Sequence, residues 1–299
     1  MNNNVVQTVD LHKHYGKKQA LSGLSVNIAE HSITGLIGRN GSGKTTLLKI
    51  LAGRLNKTSG EVFVFGSPPM DNLPVLNRLV YTYHNMVYET HLNLKTILFA
   101  YKTMFANFDS AFADKLMKYF ELSGKMKYKN LSLGMGSIFN FLCALSCRAD
   151  LTMFDEPVLG MDVTVRKSAY EILLRDFSEH PRTFIISSHL LSEIEGVLSD
   201  ILLIEQGKFV LHSTIDDVRQ SAYRVDGSHA AVEGFVSGKN TIAHKRNDIS
   251  SFAVIYEPLT NKTVEAVNLQ GLTISPVRAE ELCVYLTRQN KEEELECLW

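Results

Sequence analysis

The sequence predicts an α/β fold built on a parallel sheet, followed by a smaller α+β domain. Short apolar runs at 151–154 and 183–187 have the continuous hydrophobic character of strands that a parallel sheet buries on both faces. A glycine-rich loop at 38–45 lies between an apolar run and a helical pattern. Beyond about residue 220 the chain changes to short alternating strands and short helices. These observations predict domains at 1–220 and 221–299.

The individual elements follow from their hydrophobic periods. Before residue 70 we predict strands at 5–11, 24–28, 32–37 and 61–65 and a helix at 45–51. Between 92 and 122 apolar residues recur at helical spacing, as Leu94, Ile97, Leu98 and Tyr101 and again as Phe112, Leu116, Tyr119 and Phe120. A hairpin is predicted at 201–211. The tail contains predicted strands at 223–226, 252–256 and 272–275 with two short helices, the second at 276–287.

Composition excludes several classes of protein. Lysine plus arginine number 31 and aspartate plus glutamate 32, a net charge of −1 that argues against a nucleic-acid partner. No stretch approaches the roughly 20 apolar residues that cross a bilayer. The four cysteines lack metal-ligand spacing. We therefore expect a soluble cytoplasmic protein with an ordinary core. Polar residues of the tail, among them Arg224 and His229, are interpreted as a solvated face, and Trp299 as an exposed terminus.

The loop at 38–45 has the pattern G-x-x-x-x-G-K-T of a phosphate-binding loop. Its residues are Gly38, Arg39, Asn40, Gly41, Ser42, Gly43, Lys44 and Thr45, and Thr46 follows. Glycines allow successive backbone N–H groups to surround a phosphate, and the start of the next helix adds its positive dipole end. The lysine is expected to reach the terminal phosphates and the Thr45 hydroxyl to ligate magnesium. The sequence therefore predicts nucleotide binding.

Two acids end the apolar run at 151–154. Asp155 is expected to meet the magnesium held by Thr45, and Glu156 to polarise an attacking water. An acidic turn after a core strand is the structural alternative, weakened by the nearby phosphate loop. A second strand, at 183–187, leads to His189, which could contact the γ-phosphate.

Together these motifs resemble the nucleotide-binding subunit of an ATP-binding cassette (ABC) transporter, over about residues 5–220. The order carries the resemblance: the phosphate loop, Leu-Ser-Leu-Gly-Met at 131–135, the acid pair at 155–156, Gly-Met-Asp at 160–162, and His189. The segments 155–162 and 187–195 are most similar to the exporter branch whose subunits serve separate membrane proteins, and within it to YtrB-type subunits.

The resemblance implies roles for further residues. Tyr15 matches the aromatic residue that stacks on adenine, with a plain strand-end tyrosine as the alternative. Ser132 and Gly134 match the signature that caps the γ-phosphate of ATP bound to the opposite subunit. Asp162 matches the loop that links the two sites, and His189 the switch histidine.

The resemblance also implies an architecture and partners. It implies an ABC nucleotide-binding domain with a helical subdomain at about 86–145, cofactors ATP and Mg²⁺, and ATP hydrolysis that drives export. The implied partners are a membrane-spanning permease subunit and a second nucleotide-binding subunit, as a homodimer or a heterodimer. The chain would be peripheral on the cytoplasmic face of the membrane, with 92–122 docking the permease. The tail is expected to serve assembly or regulation.

Three departures from the family pattern bear on activity. His84 stands where a glutamine normally touches magnesium and water, and neutral imidazole could replace part of its hydrogen bonding. The alternative is that His84 is an exposed loop residue and Asn85 takes the role. Leu133 and Met135 replace a glycine and a glutamine of the signature. The helix after the signature is unusually apolar at 136–142, which we interpret as core in preference to a docking surface.

Two other functions compete with an exporter ATPase. A nucleotide-gated binding module with weak hydrolysis is favoured only by His84 and Leu133, whereas the intact Lys44, Asp155 and Glu156 favour the enzyme. A soluble ABC protein of translation or DNA repair would carry two cassettes or a long coiled coil, and this chain has neither.

Overall fold

The structure, a computed structural model, describes residues 4–287, so the acidic run at 292–296 and Trp299 lie outside the described residues. The chain divides into two compact units, 1–212 and 213–299. The sequence placed this division at residue 220. The short helix Ile215–Gln220 between the two positions contacts the last described helix, Ala279–Thr287, which groups it with the second unit.

Two sheets form the first unit. Their strands are β1 (Asn4–Tyr15), β2 (Lys18–Ala29), β3 (Ile33–Ile37), β4 (Ser59–Val64), β5 (Leu79–Tyr83), β6 (Leu151–Asp155), β7 (Thr183–Ser188), β8 (Asp200–Glu205) and β9 (Lys208–Thr214). Strands β2, β1 and β4 form an antiparallel sheet. The other six follow the order β5-β6-β7-β3-β8-β9, with parallel pairing from β5 to β8. The predicted parallel sheet is thereby confirmed.

The first, second and fifth helices of this unit contact the larger sheet, and the first also contacts the smaller one. They are α1 (Lys44–Leu51), α2 (Leu73–Leu76), α3 (Leu94–Met104), α4 (Ser110–Tyr119), α5 (Leu133–Ser146) and α6 (Val163–Glu179). Helix α1 contacts β2, β4 and β6, so its buried leucines join the two sheets in one hydrophobic core. Because α1 begins directly after β3, this core holds the glycine-rich loop at a central strand end.

Helices α3 and α4 form the predicted helical segment. Asn93 and Asp109 cap them, accepting hydrogen bonds from the backbone N–H groups of Thr96 (2.9 Å) and Phe112 (2.8 Å). The buried face of α4 consists of Ala113, Leu116 and Met117. The sequence placed Tyr119 on that face, but its side chain is 59% exposed. The helical period admits two neighbouring stripes here, and packing selects the one with the smaller residues.

Helix α5 is buried along most of its length, which confirms the core interpretation of this apolar helix. Every residue from 136 to 146 is buried. Its one amide side chain, Asn140, donates to the Tyr128 hydroxyl (2.9 Å) and to the Tyr83 carbonyl (3.3 Å) and accepts from the Tyr88 hydroxyl (3.2 Å). These bonds satisfy the buried amide, as a polar group in a core requires.

The second unit is a small α+β domain. Its elements are α7 (Ile215–Gln220), β10 (Tyr223–Gly227), α8 (His229–Val236), β11 (Thr241–Arg246), β12 (Ser251–Ile255), α9 (Asn261–Leu269), β13 (Thr273–Pro276) and α10 (Ala279–Thr287). The antiparallel sheet has the order β11-β12-β10-β13, the arrangement of a split β-α-β fold.

The tail prediction missed several of these elements. The sequence predicted three strands and two helices, and β11 escaped because its second half, His244–Lys245–Arg246, is exposed and polar. Two residues of the predicted solvated face have partners: His229 bonds the buried Ser251, and the Arg224 guanidinium lies 3.9 Å from the centre of the Phe252 ring. Within residues 4–287, no helix combines the length and apolar character needed to span a membrane.

Candidate functional site

The predicted phosphate loop joins β3 to α1. Gly43, directly before the helix, has a φ of 111°, and no side chain among the described residues caps the N-terminus of α1. A Cβ atom on Gly43 would lie 2.6 Å from the Ala20 carbonyl oxygen, so only glycine fits. The helix N-terminus therefore keeps backbone N–H groups available for an anion.

Lys44 is the central cation of the loop and is only 6% exposed. Its Nζ donates to the carbonyl oxygens of Gly38 (2.6 Å) and Arg39 (3.3 Å), so in this structure the ammonium is bound to its own loop. Burial lowers the pKa of Lys44, and the nearby carboxylates of Glu156 and Asp155 oppose that shift. Phosphate oxygens could replace these carbonyls as partners.

A cavity of about 400 Å³ opens over the loop. Its lining residues come from β1, β2, the loop, the start of α1 and the position after β6: Tyr15, Lys18, Ala20, Asn40, Gly41, Ser42, Gly43, Lys44, Thr45, Thr46 and Glu156. Tyr15 is 48% exposed, and the Lys13 Nζ lies 5.2 Å from its ring centre. Lys18 was not predicted as a site residue, although its position three residues after Tyr15 could have indicated it.

Asp155 ends strand β6 with a buried carboxylate, 4% exposed. Ser187 Oγ, at the end of β7, donates to Oδ1 at 2.6 Å, and the Tyr81 hydroxyl, on β5, donates to Oδ2 at 3.2 Å. Neither partner was named from the sequence. The serine pair before His189 was a usable signal for Ser187, whereas Tyr81 had no local signal.

Glu156 follows with a left-handed backbone, φ 53°, which residues with a side chain seldom adopt. The backbone N–H of Glu156 donates to Ser187 Oγ (3.1 Å). Its carboxylate oxygens each lie 3.0 Å from His189 Nδ1. The structure therefore brings together Lys44, Asp155, Glu156 and His189, four of the residues that were predicted to surround the terminal phosphates and the magnesium ion.

His84 lies directly after β5, whose last residue, Tyr83, pairs in register with Asp155. The residue is half-buried, and its Nδ1 is buried without a hydrogen-bond partner among the described residues. The alternative of an exposed loop residue does not match this burial, and Asn85 is the exposed one. His84 does not contribute to the lining of the phosphate-loop cavity in the described structure.

Ser132, Gly134 and Asp162 lie at helix starts. Ser132 Oγ accepts a hydrogen bond from Met135 N–H (3.2 Å) and caps α5, and the Asp162 carboxylate accepts one from Val165 N–H (2.9 Å) and caps α6. A Cβ on Gly134 would come within 3.0 Å of the Gly160 carbonyl oxygen. In the described part of the chain none of the three lines the cavity over Lys44.

Comparisons with known proteins define the class. The sequence profile of the ABC transporter family matches residues 21–159. The uncharacterized ABC transporter ATP-binding protein YcbN of Bacillus subtilis is 31% identical over 223 residues, 72% of this chain and 71% of the relative. The ABC transporter ATP-binding protein YtrB of the same organism is 25% identical over 74% of this chain and 76% of the relative. The lantibiotic transport ATP-binding protein SrtF of Streptococcus pyogenes is 32% identical over 69% of this chain and 90% of the relative.

Solved structures share the fold. An ATP-binding subunit of an ABC transporter superposes with a TM-score of 0.64 at 22% identity, covering 72% of this chain and 92% of that one. An ATP-binding cassette in a post-hydrolysis state with ADP and Pi superposes with a TM-score of 0.60 at 19% sequence identity, covering 70% of this chain and 98% of that one.

The chain belongs to the ABC transporter family. It is an ATP-binding subunit of that family and an ATPase, as the sequence resemblance predicted.

Proposed function

We propose that this ATPase drives export through a separate membrane-spanning permease subunit and lies on the cytoplasmic face of the membrane through that partner. The observation that carries the hydrolytic part is the Glu156 carboxylate, which lines the phosphate-loop cavity and contacts His189. Relatives named for bacitracin transport and lantibiotic transport support the choice of an exporter.

Glu156 and His189 form the proposed catalytic pair. The carboxylate accepts a proton from the attacking water, and a positioned base of this kind contributes about 10²–10⁴ in rate. His189, bonded through Nδ1, orients the carboxylate and contacts the γ-phosphate of bound ATP. Lys44 and the N–H groups of the loop bind the phosphates, and Tyr15 stacks on adenine.

The oxygen donors at this site fit Mg²⁺. Asp155 supplies a carboxylate and Thr45 a hydroxyl that is exposed to the cavity, and hard oxygen ligands are those that magnesium prefers. Within residues 4–287 no group of three or more His, Cys, Asp or Glu residues could hold a metal alone. This suits magnesium, which proteins hold through one or two carboxylates together with substrate phosphates. Bound there, the ion would neutralise phosphate charge.

Dimerisation would complete each site. Ser132 and Gly134 lie away from the cavity of their own chain, and we propose that they cap the γ-phosphate bound to a second nucleotide-binding subunit, in a homodimer or a heterodimer. Asp162, at the start of α6, would connect the two sites. A head-to-tail arrangement of this kind makes each hydrolytic site depend on both chains.

The permease would dock in a groove beside the helical segment. A cavity of about 440 Å³ lies between the segment 86–105 and the residues at 52–54 and 76–81, and its lining is largely apolar. Met104 and Phe99 on α3 are 68% and 67% exposed. Exposed apolar side chains beside a groove are typical of a protein interface. His84 lies in the chain between Tyr81 and Met86, which line this groove, and directly after Tyr83, which pairs with Asp155; we propose that it couples the groove to the acid pair.

The test is the substitution Glu156→Gln, which keeps the size of the side chain and removes its basicity. We expect ATP binding to persist, a stable ATP-bound dimer to accumulate, and steady-state hydrolysis to fall by about 10²–10⁴. Glu30→Gln is the matched control, because Glu30 is exposed and precedes β3, outside the phosphate-loop cavity. It should leave ATP binding, dimerisation and hydrolysis unchanged.

Two outcomes would contradict the proposal. Unchanged turnover in Glu156→Gln would remove Glu156 from catalysis. Negligible turnover in the unaltered chain, with ATP-dependent dimerisation intact, would favour the regulatory module with weak hydrolysis. Copurification of a membrane-spanning protein with the unaltered chain would test the transport part.

A further inference from the structure

We infer that Tyr81 is a positioning residue: it orients the Asp155 carboxylate and makes that carboxylate respond to the permease segment proposed to dock in the groove beside α3. The inference rests on the proposed metal-binding role of Asp155. The side chain of Tyr81 would connect the groove to Asp155 directly, in addition to the coupling proposed for the loop at His84.

The side chain of Tyr81 is hydrogen-bonded to the Asp155 carboxylate. Tyr81 is 4% exposed, and its hydroxyl donates to Asp155 Oδ2 at 3.2 Å. Strands β5 and β6 are parallel neighbours in which Tyr81 pairs with Met153, so the side chain reaches along the sheet to the acid two residues further on. An ionised carboxylate can only accept hydrogen bonds, so the Tyr81 hydroxyl is the donor.

Both oxygens of the Asp155 carboxylate accept a hydrogen bond. Ser187 Oγ donates to Oδ1 at 2.6 Å while Tyr81 donates to Oδ2. An ionised carboxylate offers about four lone-pair sites, so two donors leave sites free for a magnesium ion or its water. The two bonds therefore fix the plane of the carboxylate without blocking it. Loss of the Tyr81 bond would let the group rotate about its remaining partner.

The ring of Tyr81 lies at the wall of the groove beside α3. Tyr81 lines the 440 Å³ cavity together with Arg54, whose guanidinium carbon lies 5.3 Å from the ring centre. Arg54 is exposed, so carboxylate or carbonyl groups of a docked segment could bind it. Movement of the guanidinium changes what packs on the ring, and the ring carries the hydroxyl that holds Asp155.

The first experiment separates metal-dependent from metal-independent nucleotide binding. ATP affinity is measured by equilibrium titration with excess Mg²⁺ and with EDTA. Mg²⁺ is expected to raise ATP affinity, and we expect this gain to be about tenfold smaller in Tyr81→Phe, because one hydrogen bond to a charged group is removed. The affinity measured in EDTA should not change. Tyr83→Phe is the matched control, since that hydroxyl forms no hydrogen bond with Asp155 in the described structure.

Asp155→Asn distinguishes failure of the inference from failure of the proposed site. If Asp155→Asn keeps the full Mg²⁺ effect, the proposed metal role is wrong. If Asp155→Asn loses that effect and Tyr81→Phe retains it, the metal role stands and the inference is overturned. Equal losses of affinity with Mg²⁺ and with EDTA in Tyr81→Phe would indicate a general structural role and would also overturn it.

A double-mutant cycle tests the connection to the groove. Arg54→Ala should lower the Mg²⁺-dependent gain by about two- to fivefold, the range expected for a cation–aromatic contact. In the Tyr81→Phe background the ring remains but the link to Asp155 is gone, so Arg54→Ala should have no further effect. Arg78→Ala is the matched control, because it removes an exposed guanidinium that lies 3.9 Å from the centre of the Phe65 ring, away from the groove and from Asp155. If Arg54→Ala lowers the Mg²⁺-dependent gain in affinity by the same factor in the unaltered chain and in Tyr81→Phe, the connection between the groove and Asp155 through Tyr81 is refuted.

Discussion

Lys44 in the phosphate loop is suited to binding a phosphate but lowers the free energy of unfolding of the chain. Lys44 is buried, and its lowered pKa means that the folded chain holds this proton less tightly than the unfolded chain does. The charged ammonium therefore opposes folding at pH values below its lowered pKa, and stability increases as pH rises through that value. Such a cation is retained because phosphate needs it.

The first prediction at this scale concerns Lys44→Ala. The loop at 38–45 has two cationic side chains, Arg39 and Lys44. Removal of the Lys44 ammonium should weaken ATP binding by about 100-fold, because its charge-assisted hydrogen bonds to the phosphates are lost. Lys49→Ala, in the last turn of the same helix, is the control and should bind normally. Calorimetric titration measures both, and near-normal affinity of Lys44→Ala would refute the assignment of the loop.

Between elements, the start of α5 is fixed to the loop that follows the acid pair. Ser137 Oγ donates to the Leu159 carbonyl at 2.7 Å, and Gly134 lies against Gly160 without room for a Cβ on either residue. The backbone of the signature-like segment and the backbone after Glu156 therefore move together. Leu133, a departure from the family pattern, packs against Gly160 and takes part in this contact.

Gly134→Ala tests this contact. The added methyl group would collide with the Gly160 carbonyl, so α5 and the loop must separate; overpacking of this kind costs about 1–3 kcal/mol in the free energy of unfolding. We expect lower ATP hydrolysis together with the loss of stability. Gly196→Ala is the matched control, since nothing lies within 4 Å of its added Cβ. Equal denaturation midpoints for the two variants would count against close packing at 134.

At the scale of the whole molecule, two units with separate cores share one chain. The second unit has its own hydrophobic cluster, which includes Tyr223, Val225, Phe235, Ile255 and Val267. All cavity-lining residues around Lys44 belong to the first unit. The relatives YcbN and SrtF match 72% and 69% of this chain. Nucleotide chemistry is therefore expected to reside in the first unit.

Truncation tests this expectation. A chain that ends at Thr214, the last residue of β9, should bind ATP with an affinity within about threefold of the full chain, because no cavity-lining residue is removed. Circular dichroism must first show that the shortened chain is folded. Loss of ATP affinity in a folded product would mean that the second unit contributes to the nucleotide site.

Local patterns made much of this site predictable. The glycine-lysine-threonine loop, the acid pair after an apolar run and His189 after the next strand are each contained in a few consecutive residues, and their residue types state their chemistry. The same holds for the parallel strands β3, β6 and β7, which are continuous apolar runs, whereas strand β5 and helix α6 were not predicted. Strand β11 and the inward face of α4 were missed because packing with distant residues decides them.

By itself the sequence determined the class of protein, the phosphate loop and the acid pair, because backbone conformation and ligand chemistry there depend on adjacent residues. Only the tertiary structure decided which side chains hold those groups. Tyr81 and Asp155 are 74 residues apart and meet through the register of β5 and β6; Glu156 and His189 are 33 apart and meet where β6 and β7 end at one edge. Register is set by the burial of whole strands in a common core, and no short segment contains that information.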